Sequence, residues 1–99
     1  GDIFQVFIPN TFTPNGDGIN DVFFVDGADI DPNTFEITIF NRWGDVVYTS
    51  NDPSGVWLGG YYTNSEYFAP NGAYNYILKA RSKSTTERKE LKGVVYLLR

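Results

Sequence analysis

The segment Thr13–Phe24 concentrates the residue types that bind cations. Aligned on a twelve-residue calcium loop, it places oxygen donors at the third, fifth, seventh and ninth positions, the seventh through a backbone carbonyl. Gly18 falls at the sixth position, where such a loop bends sharply. The segment therefore predicts a calcium site whose ligands are Asn15, Asp17, Ile19 and Asp21.

The two ends of this segment depart from the calcium pattern. Thr13 and Phe24 stand where the loop needs its first and last acids, so a bound ion would need further oxygens. The acids that could supply them are Asp26, Asp29 and Asp31. In the alternative interpretation the segment is a tight turn, in which Asn and Asp side chains bond backbone N–H groups and glycines supply positive φ.

The residue types needed for most catalytic sites are missing from the sequence. The chain has no His and no Cys, which excludes Ser-His-Asp and Cys-His arrangements and zinc sites with Cys or His ligands. No pair of carboxylates stands out as the acid and base of a glycosidase. We therefore expect a protein that is not an enzyme.

Length and composition favour one all-β domain spanning residues 1–99. Aromatic residues make up 17% of the chain and hydrophobic residues 41%, a balance that suits a half-buried sheet. No apolar stretch approaches the roughly 20 residues that span a bilayer, so we expect no transmembrane segment. We interpret the chain as a fragment of a larger protein.

The charges are unevenly distributed, although the net charge is only −4. The first 78 residues contain ten acids and one base, Arg42, whereas the residues from Lys79 onward contain seven bases and two acids. Such asymmetry marks either a partner surface or basic strands that neutralise acidic loops of the same domain. A pI of about 4.5 argues against nucleic-acid binding.

Short runs of β-forming residues alternate with Gly, Pro, Asn and Asp, and no segment keeps a helical period. This spacing predicts an antiparallel immunoglobulin-like β-sandwich of about six to seven strands. Thr34–Asn41 and Ala73–Arg81 alternate most regularly, and Gly44 suits a left-handed position in a hairpin. The expected core residues are Phe4, Val6, Ile8, Val22, Phe24, Phe35, Ile37, Ile39, Trp57, Tyr74, Tyr76, Leu78, Val94, Tyr96 and Leu98.

Several aromatic residues fall in or beside the expected loops: Trp43, Trp57, Tyr61, Tyr62 and Tyr67. Exposed rings of this kind could stack on sugars, as in a glycan-binding module. The alternative is that each ring closes one end of the sandwich, which we favour for Trp57 because Val56 and Leu58 flank it.

Four blocks of sequence occur in an order typical of one protein family. They are IPNTFTPNGDGIND from Ile8, IFNRWG from Ile39, PNGAYNYIL from Pro70 and KGVVYLLR from Lys92. The chain resembles the type B C-terminal sorting domain of the type IX secretion system, also called the gliding-motility-associated C-terminal domain, of Bacteroidota. It departs from the family at Trp57-Leu58-Gly59, where relatives show Trp-Asp-Gly.

The resemblance implies a non-catalytic secretion signal on a large cell-surface or secreted protein such as an adhesin. It implies passage through the periplasm and recognition by the type IX translocon together with a dedicated outer-membrane partner. The alternative is a cell-surface adhesive module that binds glycan or calcium. The cofactor is therefore either none or calcium.

We expect the last strand to carry the partner-binding residues. If it lies at a sheet edge, its backbone groups could pair with a receptor strand, and nearby cations could guide the approach. The residues are Lys79, Arg81, Lys83, Arg88, Lys89, Lys92, Val94, Tyr96, Leu98 and Arg99.

Thermal melting tests the calcium prediction. A ligand that binds only the native state stabilises it by about 2.7 kcal/mol at a hundredfold excess over Kd, so millimolar calcium should raise Tm by several degrees. A chelator should reverse the shift, and Asp17→Ala should abolish it. An unchanged Tm would assign the segment to a turn.

Overall fold

The computed structural model describes residues 3–14, 22–59 and 69–98. These ranges form nine strands and contain no helix. The strands are β1 (Gln5–Phe7), β2 (Thr11–Phe12), β3 (Phe23–Phe24), β4 (Asp26–Ala28), β5 (Glu36–Phe40), β6 (Val46–Ser50), β7 (Val56–Trp57), β8 (Gly72–Arg81) and β9 (Arg88–Leu97). The expected all-β fold is confirmed, with nine strands in place of the predicted six to seven.

The larger layer is a five-stranded sheet in the order β2-β9-β8-β5-β6. Its centre is the β8–β9 hairpin, whose ten residue pairs run without a break from Gly72↔Leu97 to Arg81↔Arg88. The hairpin follows the Pro70-Asn71-Gly72 turn, where Gly72 has φ +146°, a value that favours glycine. The expected strand from Ala73 to Arg81 is confirmed.

The smaller layer consists of two pairs of short strands, β1 with β4 and β3 with β7. One continuous group of buried residues is drawn from both layers. Trp57 lies within this group and is 3% exposed, which confirms the core interpretation of this ring. Its ring centroid lies 5.2 Å from Phe12, 5.3 Å from Tyr74 and 6.4 Å from Phe23.

One pair of strands departs from the expected antiparallel arrangement. Strand β2 runs parallel to β9, with Thr11 opposite Tyr96 and Phe12 opposite Leu97. The N–H of Tyr96 donates to the carbonyl of Asn10 at 2.8 Å. Since Pro9 has no N–H to continue a ladder, β1 and β2 separate at this point and pair with different layers.

The core prediction is right for most residues of the alternating strands and for fewer residues elsewhere. Seven of the expected residues are buried: Phe4, Phe35, Ile37, Ile39, Trp57, Tyr74 and Leu78. Four more are half-buried: Val6, Ile8, Val22 and Tyr76. Buried residues that the sequence interpretation missed are Phe12, Phe23, Val25, Val47, Ala69, Ala80, Val95 and Leu97.

The main error in the core prediction concerns which side chains of β9 face the core. Val94, Tyr96 and Leu98 were expected in the core but are 39%, 50% and 47% exposed. The reason is the contact between Gly93 and Tyr76, which face each other across the hairpin. A Cβ at Gly93 would lie 2.7 Å from Cζ of Tyr76, so the Tyr76 ring covers the glycine on the inner side of the sheet. Odd-numbered residues of β9 therefore face the core.

A similar error affects the segment that contains Phe24, which was expected in the core. Phe24 is 49% exposed, while Phe23 and Val25 are buried. Because β3 pairs only with β7 among the strands described above, one side of the segment faces solvent.

Paired Trp→Ala substitutions test the role of the buried ring. We expect Trp57→Ala to lower the free energy of unfolding by about 3–5 kcal/mol, since it removes contacts to both layers and leaves a cavity. Trp43 is 71% exposed, so Trp43→Ala should change stability by less than about 0.5 kcal/mol. Denaturant titration measures both, and equal effects would contradict the packing described here.

Candidate functional site

The outward side of the five-stranded sheet gathers most of the predicted partner-binding residues. Even-numbered residues of β9 and odd-numbered residues of β8 point away from the core, because their cross-strand partners alternate with the buried positions. Leu98 continues the same alternation just beyond β9. We call this side the outer face, and it carries seven of the ten predicted residues: Lys79, Arg81, Arg88, Lys92, Val94, Tyr96 and Leu98.

One end of the outer face is apolar. Val94 lies opposite Asn75 and Asn75 lies opposite Phe40, whose other neighbour is Val46. Val46 is 42% exposed, so this row shows hydrocarbon to solvent at three of its four positions. Exposed apolar rows on a sheet are typical of sites that another molecule covers.

The other end of the outer face is charged. Arg81 lies opposite Arg88, and the adjacent row contains Glu36, Lys79 and Glu90. Lys92 and Glu90 form an exposed ion pair at 3.6 Å, which contributes little stability. The charged end carries four cations and two carboxylates, and so has a positive balance in an otherwise acidic protein.

The remaining predicted partner residues lie elsewhere. Lys89 has the opposite parity, and its ammonium lies 5.3 Å from the Phe4 ring centroid, a cation–π contact. Lys83 lies in the loop that joins β8 to β9. Arg99 falls outside the described residues.

The edge of the last strand is partly covered, contrary to the sequence expectation. At Tyr96 and Leu97 the position beside β9 is taken by β2. The N–H groups of Tyr96 and Leu98 both donate toward this side. By alternation, Glu90, Lys92 and Val94 direct their backbone groups to the same side, where no strand of the described ranges lies.

The β8–β9 loop is held by Asp29, one of the three acids that could have supplied further oxygens to a calcium ion. Its Oδ2 accepts hydrogen bonds from the Ser82 hydroxyl and, at 2.6 Å, from the Ser84 hydroxyl. Its carbonyl accepts the N–H of Lys83 at 2.8 Å. The serine hydroxyls stabilise the carboxylate and lower the pKa of Asp29. The backbone of Asp29 is left-handed, with φ +61°, which Asp tolerates better than most residues.

The other proposed calcium donors are also engaged in local turns. Asp26 accepts the N–H of Gly27 at 2.8 Å, and Asp31 accepts the N–H of Asn33 at 3.0 Å. In ranges 3–14, 22–59 and 69–98, no group of three acids is placed to hold a metal ion. The predicted ligands Asn15, Asp17, Ile19 and Asp21 lie outside the described residues, as do Tyr61, Tyr62 and Tyr67.

The fold resembles a solved bacterial structure. The crystal structure of CopC from Methylosinus trichosporium OB3b matches with a TM-score of 0.56 and 14% identity, covering 99% of this chain and 94% of that one. At this identity the likeness shows a shared β-sandwich fold and nothing about function. No match was found among the curated proteins. None of the described residues forms a helix suited to crossing a membrane.

The protein is a small β-sandwich module with a mixed apolar and cationic face. It belongs to the CHU_C type IX secretion signal domain family, whose model matches residues 6–97. This membership confirms the resemblance seen in the sequence. The domain carries a signal for export to the cell surface or the medium, and it interacts with the type IX secretion system.

Acid titration of stability tests the Asp29 contacts. Because the folded protein lowers the pKa of Asp29, its carboxylate stabilises the fold above its unfolded pKa of about 3.9. That contribution is lost as pH falls below about 4 and through the folded pKa. Asp29→Asn should therefore lose less stability than the wild type between pH 6 and pH 2.

The double variant Ser82→Ala, Ser84→Ala provides the control, because it keeps the charge and removes the two donors. It should show the same reduced pH dependence in denaturant titrations. A pH profile identical to the wild type in both variants would contradict this assignment.

Proposed function

We propose that the domain is a non-catalytic address whose outer face is read by the outer-membrane translocon and a dedicated partner protein. The cargo would be a large protein that passes through the periplasm to the surface of a Bacteroidota cell. The observation that supports this proposal is the grouping of four cations and four exposed apolar side chains on one face of the sheet.

The residue types of the outer face suit protein recognition. Arg and Tyr are enriched among the residues that dominate binding energy at protein interfaces, and both occur on this face. The apolar end offers area to bury, while the charged end would set orientation and association rate. A recognition role requires no nucleophile or base, in keeping with a sequence that lacks His and Cys.

The open part of the β9 edge supports a second contact. Glu90, Lys92 and Val94 direct backbone groups toward a side where the described chain has no strand. A receptor strand could pair there through main-chain hydrogen bonds, as in β-strand addition. Because β2 occupies the end of β9, this contact would begin upstream of Tyr96.

The adhesive alternative is less well supported. The buried position of Trp57 removes it from any sugar platform. Trp43 is exposed, but the Arg42 guanidinium stacks on its ring at 4.2 Å and covers one face. These two Trp side chains therefore give the glycan hypothesis little support.

A secretion assay tests the proposal, with the domain fused to a reporter. The variant Lys79→Gln, Arg81→Gln, Arg88→Gln removes three positive charges from the outer face. We expect secretion to fall about tenfold or more, since electrostatic guidance changes association rates by about 10 to 1000-fold. Val94→Asp, at the apolar end, should also reduce secretion.

The matched control changes the net charge equally at exposed positions outside the outer face: Gln5→Glu, Asn33→Asp and Asn51→Asp. This control should be secreted normally. Thermal melting of each purified variant would separate loss of recognition from loss of folding. Normal secretion of the folded outer-face variants would overturn the proposal.

A further inference from the structure

A cavity of about 320 Å³ lies at one end of the sandwich, between the β5–β6 loop and the start of β8. Arg42 and Trp43 line it from the loop, and Ala73 and Tyr74 line it from β8. The family membership and the proposed function assign nothing to this cavity. Its volume is at the lower limit of ligand pockets, which suits one large side chain better than an extended small molecule.

The loop that carries Trp43 is fixed by hydrogen bonds. Asn41 Oδ1 accepts the N–H of Trp43 at 3.0 Å and the N–H of Asp45 at 2.9 Å, and the N–H of Gly44 donates to the Asn41 carbonyl. Gly44 has φ +86°, as the hairpin pattern predicted. The backbone at Trp43 is therefore held in position although the side chain is 71% exposed, so less backbone entropy is lost when this loop binds a partner.

The opposite wall is also fixed. The Tyr74 hydroxyl donates to the Pro70 carbonyl at 2.6 Å, and Tyr74 is buried against Trp57. Ala73 lies opposite Tyr96, the exposed ring at the apolar end of the outer face. The cavity therefore adjoins an apolar surface along which a peptide could extend.

Arg42 supplies the polar recognition group. Its guanidinium carbon lies 4.2 Å from the Trp43 ring centroid, a cation–π contact that restricts where the guanidinium can lie. Arg42 is the single base among the first 78 residues of the sequence. No carboxylate of the described portion of the chain lies within 4.0 Å of it. A guanidinium that has no described carboxylate within 4.0 Å is suited to binding a carboxylate through two hydrogen bonds.

We propose that this cavity binds an acidic peptide segment of a partner protein. An apolar side chain of the segment enters the cavity between Trp43 and Ala73, and an adjacent Asp or Glu pairs with Arg42. The peptide is favoured over a sugar because Arg42 covers one face of the indole, while its charge complements a carboxylate. This site is separate from the cationic end of the outer face, and its test does not require secretion.

A peptide array tests the proposal with the 99-residue protein as the probe. Every hexapeptide on the array combines one Leu, Phe or Tyr with neighbouring Asp residues, and each has a partner sequence with Asn in place of Asp. Acidic sequences should be retained at least about tenfold more strongly than their Asn partners, as expected when a charge-assisted bidentate pair is lost. Equal retention of the two sets, or retention of neither, would overturn the proposal.

Fluorescence titration with the strongest Asp peptide and its Asn partner locates the contact. Trp57 is buried, so a saturable change in emission should come from Trp43 and disappear in Trp43→Phe. Arg42→Gln should abolish the preference for Asp over Asn, and Arg42→Lys should restore only part of it, because an ammonium lacks the planar fork.

Arg81→Gln is the matched control, since Arg81 is an exposed cation at the charged end of the outer face. It should bind the peptide like the wild type. If Arg81→Gln removes the preference and Arg42→Gln keeps it, the acidic peptide binds the outer face and the cavity proposal is wrong. Failure of the secretion proposal would leave these binding results unchanged, because they use the isolated protein.

Discussion

The packing of Trp57 between the two layers is the interaction on which the rest of the structure depends. A chain without Cys cannot join its layers by disulfides, so side-chain contacts must do so. The Trp57 ring packs against Phe12, Phe23 and Tyr74, which belong to β2, β3 and β8. Phe12 in turn positions β2 beside β9. The cross-layer aromatic contacts thus determine where the last strand lies.

The composition of the outer face follows from the inner packing of the domain. Tyr76 covers Gly93 on the inner side, which fixes Val95 and Leu97 in the core and leaves Val94 and Tyr96 at the surface. A shift of one residue would exchange these two sets. The same register places Arg88 and Lys92 on the same face as the exposed apolar residues. The mixture of charge and hydrocarbon on the outer face is therefore a consequence of one glycine–tyrosine contact.

The sequence predicted those parts of the fold in which polar and apolar residues alternate. One side of each of these strands is polar and exposed to solvent, so the residues that face the core could be predicted; the strands are Glu36–Phe40 and Gly72–Arg81. The last strand is apolar on both sides from Val94 to Leu97, and its parity was wrong because alternation is absent in that part. The glycine in that strand was an available signal, since a glycine within a strand often lies beneath a large ring. Strand β2 has only two residues, and each of them pairs with a residue 85 positions further along the chain, Thr11 with Tyr96 and Phe12 with Leu97. Local sequence therefore gives no signal for this strand.

The candidate site was predictable to a similar extent. The cations of β8 and β9 could be named from the sequence. Which of them share a face depends on the alternation of side chains along β9, which places Lys92 on the outer face and Lys89 against Phe4. The end cavity could not be predicted, because it forms between segments that lie about thirty residues apart in the chain. Arg42 and Trp43 were noted separately in the sequence, and the structure shows that they stack.

The parallel pairing of β2 with β9 has a mechanical consequence. The two strands lie near opposite ends of the described chain and run in the same direction, so tension applied between those ends would pull them past each other lengthwise. The bonds from Tyr96 to Asn10 and from Leu98 to Phe12 would then bear the load together rather than opening one after another. A module pulled from these two ends would therefore resist mechanical unfolding, because both hydrogen bonds must break at the same time.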